Sequence, residues 1–439
     1  MDTIERYARH IDPAFMKLLG VFGYGRVFDR AEDVYVWDDR GRRYLDLLAG
    51  FGSVNIGHNH PRLVARLHQL LDAKPLSLSH TAPSPHAAEL AEALARAAGE
   101  PLTMSLFSTS GAEAVEAAMK LARAATGRRR IVACERGYHG LSLGTLSLSS
   151  SARMRQPFEP LLDRCAVVPF GDAAALEREL AAGDVAAFIV EPVQIEGGLR
   201  FAPAGYFAAV RDVCSRHGAL FVLDEIQTGF GRLGSLFAFQ QEGIAPDVLV
   251  LGKSAGGSIA AIGITMTSAK LQRQAYGSMR RFDLHGSTFA GNTFACVAAT
   301  ETLRILEDER LCENARARGD ELVAGLRTRL RGHPLVREIR GRGLLVAVEL
   351  TAGVEKLAET LVGQWLSVVL LERGVIVQPA SQSWNIIRIE PPLTMTVAHV
   401  SEAIDAIGGA FDEHRTLTPL VARAAWRMGA QVVSRGAFR

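Results

Sequence analysis

The chain has 439 residues, 48% hydrophobic and 22% charged, an ordinary globular composition long enough for two or more packed lobes. Lysine and arginine number 49 against 47 acids, so the net charge is +2 and nothing electrostatic points to nucleic acid. The cysteines (Cys134, Cys165, Cys214, Cys296 and Cys312) are scattered and form no CxxC pair, which suggests neither a disulfide framework nor a metal site; the N-terminus is too charged for a signal peptide and no apolar run approaches the roughly 18 residues of a membrane span, so a reduced cytoplasmic setting is expected.

Along the chain, residues 1–30 read as an irregular opening segment with some helix. DVYVWDDRGRRYLDLL (33–48) reads as two short strands around a turn at Asp39–Gly41. The N-terminal 1–60 is expected to join a smaller lobe. Residues 61–290 should form the large domain, because short apolar runs alternate there with helical patterns. IVACE (131–135), AAFIVEP (186–192), ALFVLDE (219–225) and DVLVLGK (247–253) suit strands buried on both faces of a parallel sheet covered by helices. Three of these runs bring Glu191, Asp224 and Lys253 to strand ends at intervals of about one βαβ unit. From 291 to 412 a long helix, then LLVAVEL, GVIVQP and NIIRIEP, predict a smaller α+β domain. Residues 413–439 carry arginines and no acid after Glu413, and predict a basic, weakly amphipathic tail, helical from Pro419.

In an open α/β sheet, ligands sit beyond the carboxyl ends of the strands. A carboxylate at Asp224 and an amine at Lys253 can there hold the pyridinium nitrogen and aldehyde carbon of one flat ring. The amine is a scarce group, since the chain's lysines are Lys17, Lys74, Lys120, Lys253, Lys270 and Lys356 alone. The bland alternative is an Asp that caps the next helix and a Lys on the surface. STSGAEAVEAAMKLARAA (108–125) places Ser110 and Gly111 before an Ala-rich helix whose free N–H groups would face an anion. A helix cap without any ligand would look the same.

Together STSGAEAVEAAMKLAR, YHG (138–140), EPVQIEGG (191–198), LDEIQTGFGR (223–232), LGK (251–253) and STFAGN (287–292) resemble the class III (ω-)aminotransferases. Order and spacing match from GHNHP near 57 to RIEPPL at 388–393, over residues 20–410. The resemblance implies an α/β chain of fold type I: a large domain with a mostly parallel seven-stranded sheet flanked by helices, plus the smaller domain. It implies a homodimer with shared active sites and pyridoxal 5′-phosphate as cofactor. Ser110, Gly111 and Ala112 match the phosphate-binding loop. Tyr138 matches the aromatic stacked on the ring, with His139 beside it. Glu191 matches an acid near the ring edge, Asp224 the pyridinium partner, Gln227 the partner of the ring hydroxyl and Lys253 the Schiff-base lysine. Thr288 matches a hydroxyl that reaches the neighbouring subunit's phosphate. Arg388 matches a grip for substrate carboxylate, and Glu196 an acid that masks it or meets a distal amine. Phe22 and Tyr24 are candidates for lining the amine pocket or packing a subunit interface.

This sequence departs from the family's pattern in two places: LGKSAGGS replaces LGKALGGG, and GNT replaces GNP at 291–293. EPVQIEGG and IIRIEPPLTMT look most like the putrescine and diamine branch. The expected substrates are an amine (diamine or ω-amino acid) and a 2-oxo acid or aldehyde, which can be a biosynthetic intermediate. The alternatives are a mutase, racemase or decarboxylase on the same scaffold, or a binding protein that kept the fold. A P-loop ATPase fails because Asp247 stands where GKS would need a glycine.

Overall fold

The structure is a computed structural model describing residues 2–21, 24–79, 81–351 and 356–416. The expected tail beyond 416 and Phe22 lie outside the described residues. The chain divides into two compact units, Gly50–Glu313 and Met1–Ala49 with Asn314–Arg439.

The Gly50–Glu313 unit is built on seven strands. Across the sheet they run Met104–Ser108, Gly263–Thr267, Val248–Leu251, Leu220–Asp224, Val185–Val190, Arg130–Cys134 and Cys165–Val168. Five neighbouring strands are parallel to one another. Gly263–Thr267 runs antiparallel to both of its neighbours. Val185–Val190 and Leu220–Asp224 are buried along their whole length, which is why their sequences are apolar without alternation. The helix Gly111–Thr126 packs on this sheet through Ala114, Val115, Ala118, Met119 and Ala122, which share a core with Ile131, Ala133, Val222 and Val250. Small residues on that face let the helix lie close to the strands, and each large apolar side chain buried there contributes about 1.5–3 kcal/mol. The helix starts at Ser110, whose hydroxyl accepts from Glu113 N, and stops at Gly127, left-handed at φ 72°.

A second helix of this unit, Thr293–Asp308, accounts for one of the departures noted above. Asn292 caps it by accepting from Ala295 N at 2.9 Å. Proline is favoured at the next position because that N–H has no helical partner. Here Thr293 uses both donors instead, its N–H to Ser77 O (3.0 Å) and its hydroxyl to Leu76 O (2.7 Å).

The other unit has two four-stranded sheets. One contains Phe28–Glu32, Tyr35–Asp38, Arg43–Asp46 and Val375–Ile376; the other contains Val336–Arg342, Leu345–Leu350, Ser383–Ile389 and Gln378–Ala380. The hairpin read at Asp39–Gly41 forms because Asp38 accepts from the N–H groups of Arg40 and Arg42, with Gly41 left-handed at φ 77°. Tyr24 is a core residue of this unit, packed with Val36, Tyr44 and Leu371. Its hydroxyl donates to Val377 O at 3.0 Å, which ties it into the core of its own unit.

Candidate active site

Asp224 closes its strand, and Lys253 sits two residues beyond the neighbouring Val248–Leu251 strand, in a single 3-10 turn. Parallel pairing sets Asp224 opposite Val250, so both groups emerge at one edge of the sheet. They line a cleft of about 270 Å³ with Gly111, Ala112, Tyr138, His139, Glu191 and Gln227. Its remaining walls, which the sequence reading did not single out, are Gly140, Leu141, Val193, Ile226 and Thr228. Ser110 stands at the rim as the helix cap.

Each group is held from behind. Asp224 accepts from Ile226 N at 3.0 Å through Oδ1, and its Oδ2 lies 2.7 Å from His139 Nδ1. Burial opposes a charge on His139, but the hydrogen bond and charge of Asp224 outweigh it and hold the imidazole pKa above its ordinary value. Gln227 Oε1 accepts from Lys253 Nζ. Lys253 is left-handed at φ 46°, a strained backbone for a side-chain-bearing residue, of the kind that gathers at functional sites. Gly111 lies close to Ile226: a Cβ there would stand 2.9 Å from Ile226 Cδ1, so that side chain would have to turn away.

Glu191 accepts from Tyr138 N at 2.9 Å. Burial pushes its pKa from 4.5 up to about 8, against the opposing pull of His139. Glu191 is therefore neutral at pH 7. A carboxyl raised in the folded state contributes stability that is complete below its ordinary value near 4.5 and is lost as pH rises toward 8. Glu191→Gln keeps an oxygen for Tyr138 N and removes the titration. Its melting temperature should fall less than the parent's between pH 5 and pH 8.5; parallel curves would refute the shift.

The other expected site residues lie off the lining. Glu196 is buried near enough to Glu191 to raise its pKa further. Thr288 is exposed on the loop before Thr293–Asp308 and does not line this chain's own cleft. Arg388 belongs to the other unit, on the Ser383–Ile389 strand. It is 2% exposed, and its Nε lies 3.5 Å from Glu390, a partner the sequence reading did not assign.

The cleft suits a flat anionic cofactor. It has a carboxylate for a ring nitrogen, an amine for a carbonyl carbon, apolar walls at Tyr138, Val193 and Ile226, and the head of a sixteen-residue helix at Gly111 and Ala112. Two buried polar atoms of its lining, His139 Nε2 and Thr228 Oγ1, have no hydrogen-bond partner among the described residues. Pyridoxal phosphate offers what this donor set can use.

The family model for class-III aminotransferases matches residues 23–411. Aminotransferase PigE of Serratia sp. (strain ATCC 39006) is 34% identical over 94% of this chain and 54% of its own length, so the chain spans about half of that relative. An ornithine aminotransferase of Toxoplasma gondii, crystallized with partial occupancy of PLP at its active site, superposes with a TM-score of 0.82 at 32% identity, covering 89% of this chain and 91% of that one. An (S)-enantioselective ω-transaminase of Thermomicrobium roseum does so with a TM-score of 0.85 at 31% identity, covering 93% and 98%. The chain belongs to the pyridoxal-phosphate-dependent class-III aminotransferase family and has the fold type I architecture of that family.

Proposed function

We propose that the chain is an aminotransferase that moves an amino group between an amine and a 2-oxo acid or aldehyde. The observation that carries this reading is the convergence of Lys253, the Asp224–His139 pair and the Gly111–Ala112 helix head on one cleft. When bound, pyridoxal phosphate supplies an electron sink for a carbanion beside nitrogen. Ser110, Gly111 and Ala112 hold the phosphate at the helix head, and Tyr138 and Ile226 bind the ring through apolar contact. Asp224 keeps the ring nitrogen protonated, with His139 fixing the carboxylate. Gln227 orients the ring hydroxyl and the Lys253 amine. Lys253 Nζ holds the proton that the reaction moves, and neutral Glu191 adds no second charge beside Asp224.

The substrate side rests on Arg388, as the grip for the carboxylate of the oxo acid, and on Glu196, as its mask or as the contact for a distal amine. Together with the EPVQIEGG and IIRIEPPLTMT segments this favours a diamine or ω-amino acid as donor. A homodimer is supported by exposed Met279, Phe282, Leu284 and Phe289 on the loop that carries Thr288. Leu141 and Leu143 extend the same surface. Leu284 O accepts from Lys120, Ser142 donates to Glu116, and Lys120 and Glu116 lie on the one helix Gly111–Thr126. In that dimer Thr288 serves the partner's cleft. A cytoplasmic setting accords with free cysteines and with the absence, among the described residues, of any helix long and apolar enough to cross a membrane.

The test is a screen of amine donors against the cofactor-loaded protein, read by conversion of the bound cofactor to its amine form and its return on adding a 2-oxo acid. Failure of every diamine, ω-amino acid and α-amino acid would refute transamination. Arg388→Ala should raise the KM for 2-oxo acids by about tenfold or more, the weight of a charge-assisted hydrogen bond, and spare a simple diamine, which carries no carboxylate. Equal losses on both would make Arg388 structural.

A further inference from the structure

Thr228 follows Gln227 on the turn that leaves the Leu220–Asp224 strand. It is 2% exposed and lines the cleft beside Gln227 and Lys253. Its hydroxyl is buried and has no hydrogen-bond partner among the described residues. The other buried threonines among the described residues do not behave this way. Thr145, Thr265, Thr267, Thr293, Thr300 and Thr302 each donate to a main-chain carbonyl, at 2.7–3.1 Å. A buried hydroxyl left unpaired is costly, so six satisfied threonines make the seventh an exception that needs a cause.

The backbone around Thr228 is tied down by hydrogen bonds on both sides. Gly229 N donates to Glu225 O at 3.0 Å. Asn55 Nδ2 donates to Phe230 O at 2.7 Å and to Gly229 O at 3.4 Å. The Glu225 carboxylate in turn accepts from Ala238 N (2.6 Å) and Phe239 N (2.8 Å). Both flanks of the turn are therefore fixed, and rotation about the Thr228 Cα–Cβ bond is the freedom that remains. Because Thr228 lines the cleft, a molecule held there can supply the partner that the protein does not.

We propose that Thr228 is a further cofactor-binding residue, whose hydroxyl hydrogen-bonds to the pyridoxal phosphate held in the cleft. This rests on the reading of the cleft as the cofactor site. It has a signature that a structural threonine does not share. Thr228→Val keeps the shape and deletes the hydroxyl, so it removes an unpaired polar group from the cofactor-free protein and a hydrogen bond from the loaded one.

The experiment compares parent, Thr228→Val and Thr228→Ser as cofactor-free proteins. Pyridoxal phosphate is titrated by absorbance and fluorescence, and the melting temperature is recorded without cofactor. The expected result for Thr228→Val is a Kd raised about fivefold to tenfold, the weight of one neutral hydrogen bond, with a cofactor-free melting temperature equal to or above the parent's. Thr228→Ser should bind within about threefold of the parent. A Thr228→Val protein with the parent's Kd overturns the proposal. So does a cofactor-free melting temperature lowered by several degrees, because the hydroxyl would then have a partner within the protein. If the parent itself fails to bind pyridoxal phosphate, the reading of the cleft fails, a result distinct from either of these.

Discussion

Lys253→Ala should abolish transamination and leave the folded protein intact. Among the described residues Lys253 is the one lysine that lines the cleft. Lys120 is occupied elsewhere, donating to Leu284 O at 2.8 Å. Lys270 lies in a different pocket, with Asp247 and Leu220 at the start of the strands that end at the cleft. Lys17 and Lys74 are exposed. Among the described side chains no neighbouring amine can take over the nucleophile and the proton, so the loss should exceed about ten-thousandfold, beyond the span of a single displaced general base. Stability should change little, because the alanine keeps the same left-handed backbone and Lys253 is half-buried rather than core. The checks are turnover without added amines, the melting temperature, and the oligomeric state. Substantial turnover under those conditions would remove Lys253 from the role given to it.

Glu191, Asp224 and Lys253 were readable because each stands at the end of an apolar run, where strand geometry dictates its position, whereas Ala112, Tyr138, His139 and Gln227 were expected from the family resemblance. Asp224 and Lys253 needed no long-range information beyond the parallel sheet itself. The His139–Asp224 contact needed more, since 85 residues separate the two and only the folded sheet brings them to 2.7 Å. The strand Gly263–Thr267 escaped the apolar-run reading because two of its five residues are threonines. Both are fully buried, and their hydroxyls are satisfied by Ala114 O and Asp247 O, so a polar residue there costs little. Arg232 is wholly buried although its residue type predicts the surface. Its guanidinium is paired with Asn55 from a distant loop, a contact that no local pattern reveals. Asp247 was read as the residue that breaks a P-loop. The structure gives it a task of its own, pairing with Arg211 at 2.8 Å and accepting from Phe221 N at 2.7 Å. Lys253 and Asp224 were thus placed by strand ends, whereas Thr228 and Ile226 became visible once the turn after Asp224 was seen to fold back along the cleft.

Asp224→Asn should fold, retain cofactor and lose at least about a hundredfold in kcat, the scale of a lost electrostatic contact at the reacting group. The substitution preserves shape, so Ile226 N can still donate to the remaining side-chain oxygen. The amide nitrogen then faces His139 Nδ1, and two donors cannot meet across 2.7 Å. His139 can then offer Nδ1 only as an acceptor, which excludes its doubly protonated form. The variant therefore loses the Asp224 charge and, with it, the interaction that raises the His139 pKa against burial. The second loss has its own readout. His139 has a folded-state pKa raised above the ordinary value near 6.5, so its contribution to stability is complete below that value and is lost as pH rises through the folded-state pKa. Removing Asp224's charge removes that contribution. The melting-temperature gap between parent and variant should be widest below about pH 6.5 and should narrow as the pH rises beyond it. A variant whose kcat lies within a factor of a few of the parent's would contradict the role of Asp224. A gap that does not change with pH would show that the His139–Asp224 pair carries no extra proton in the folded protein.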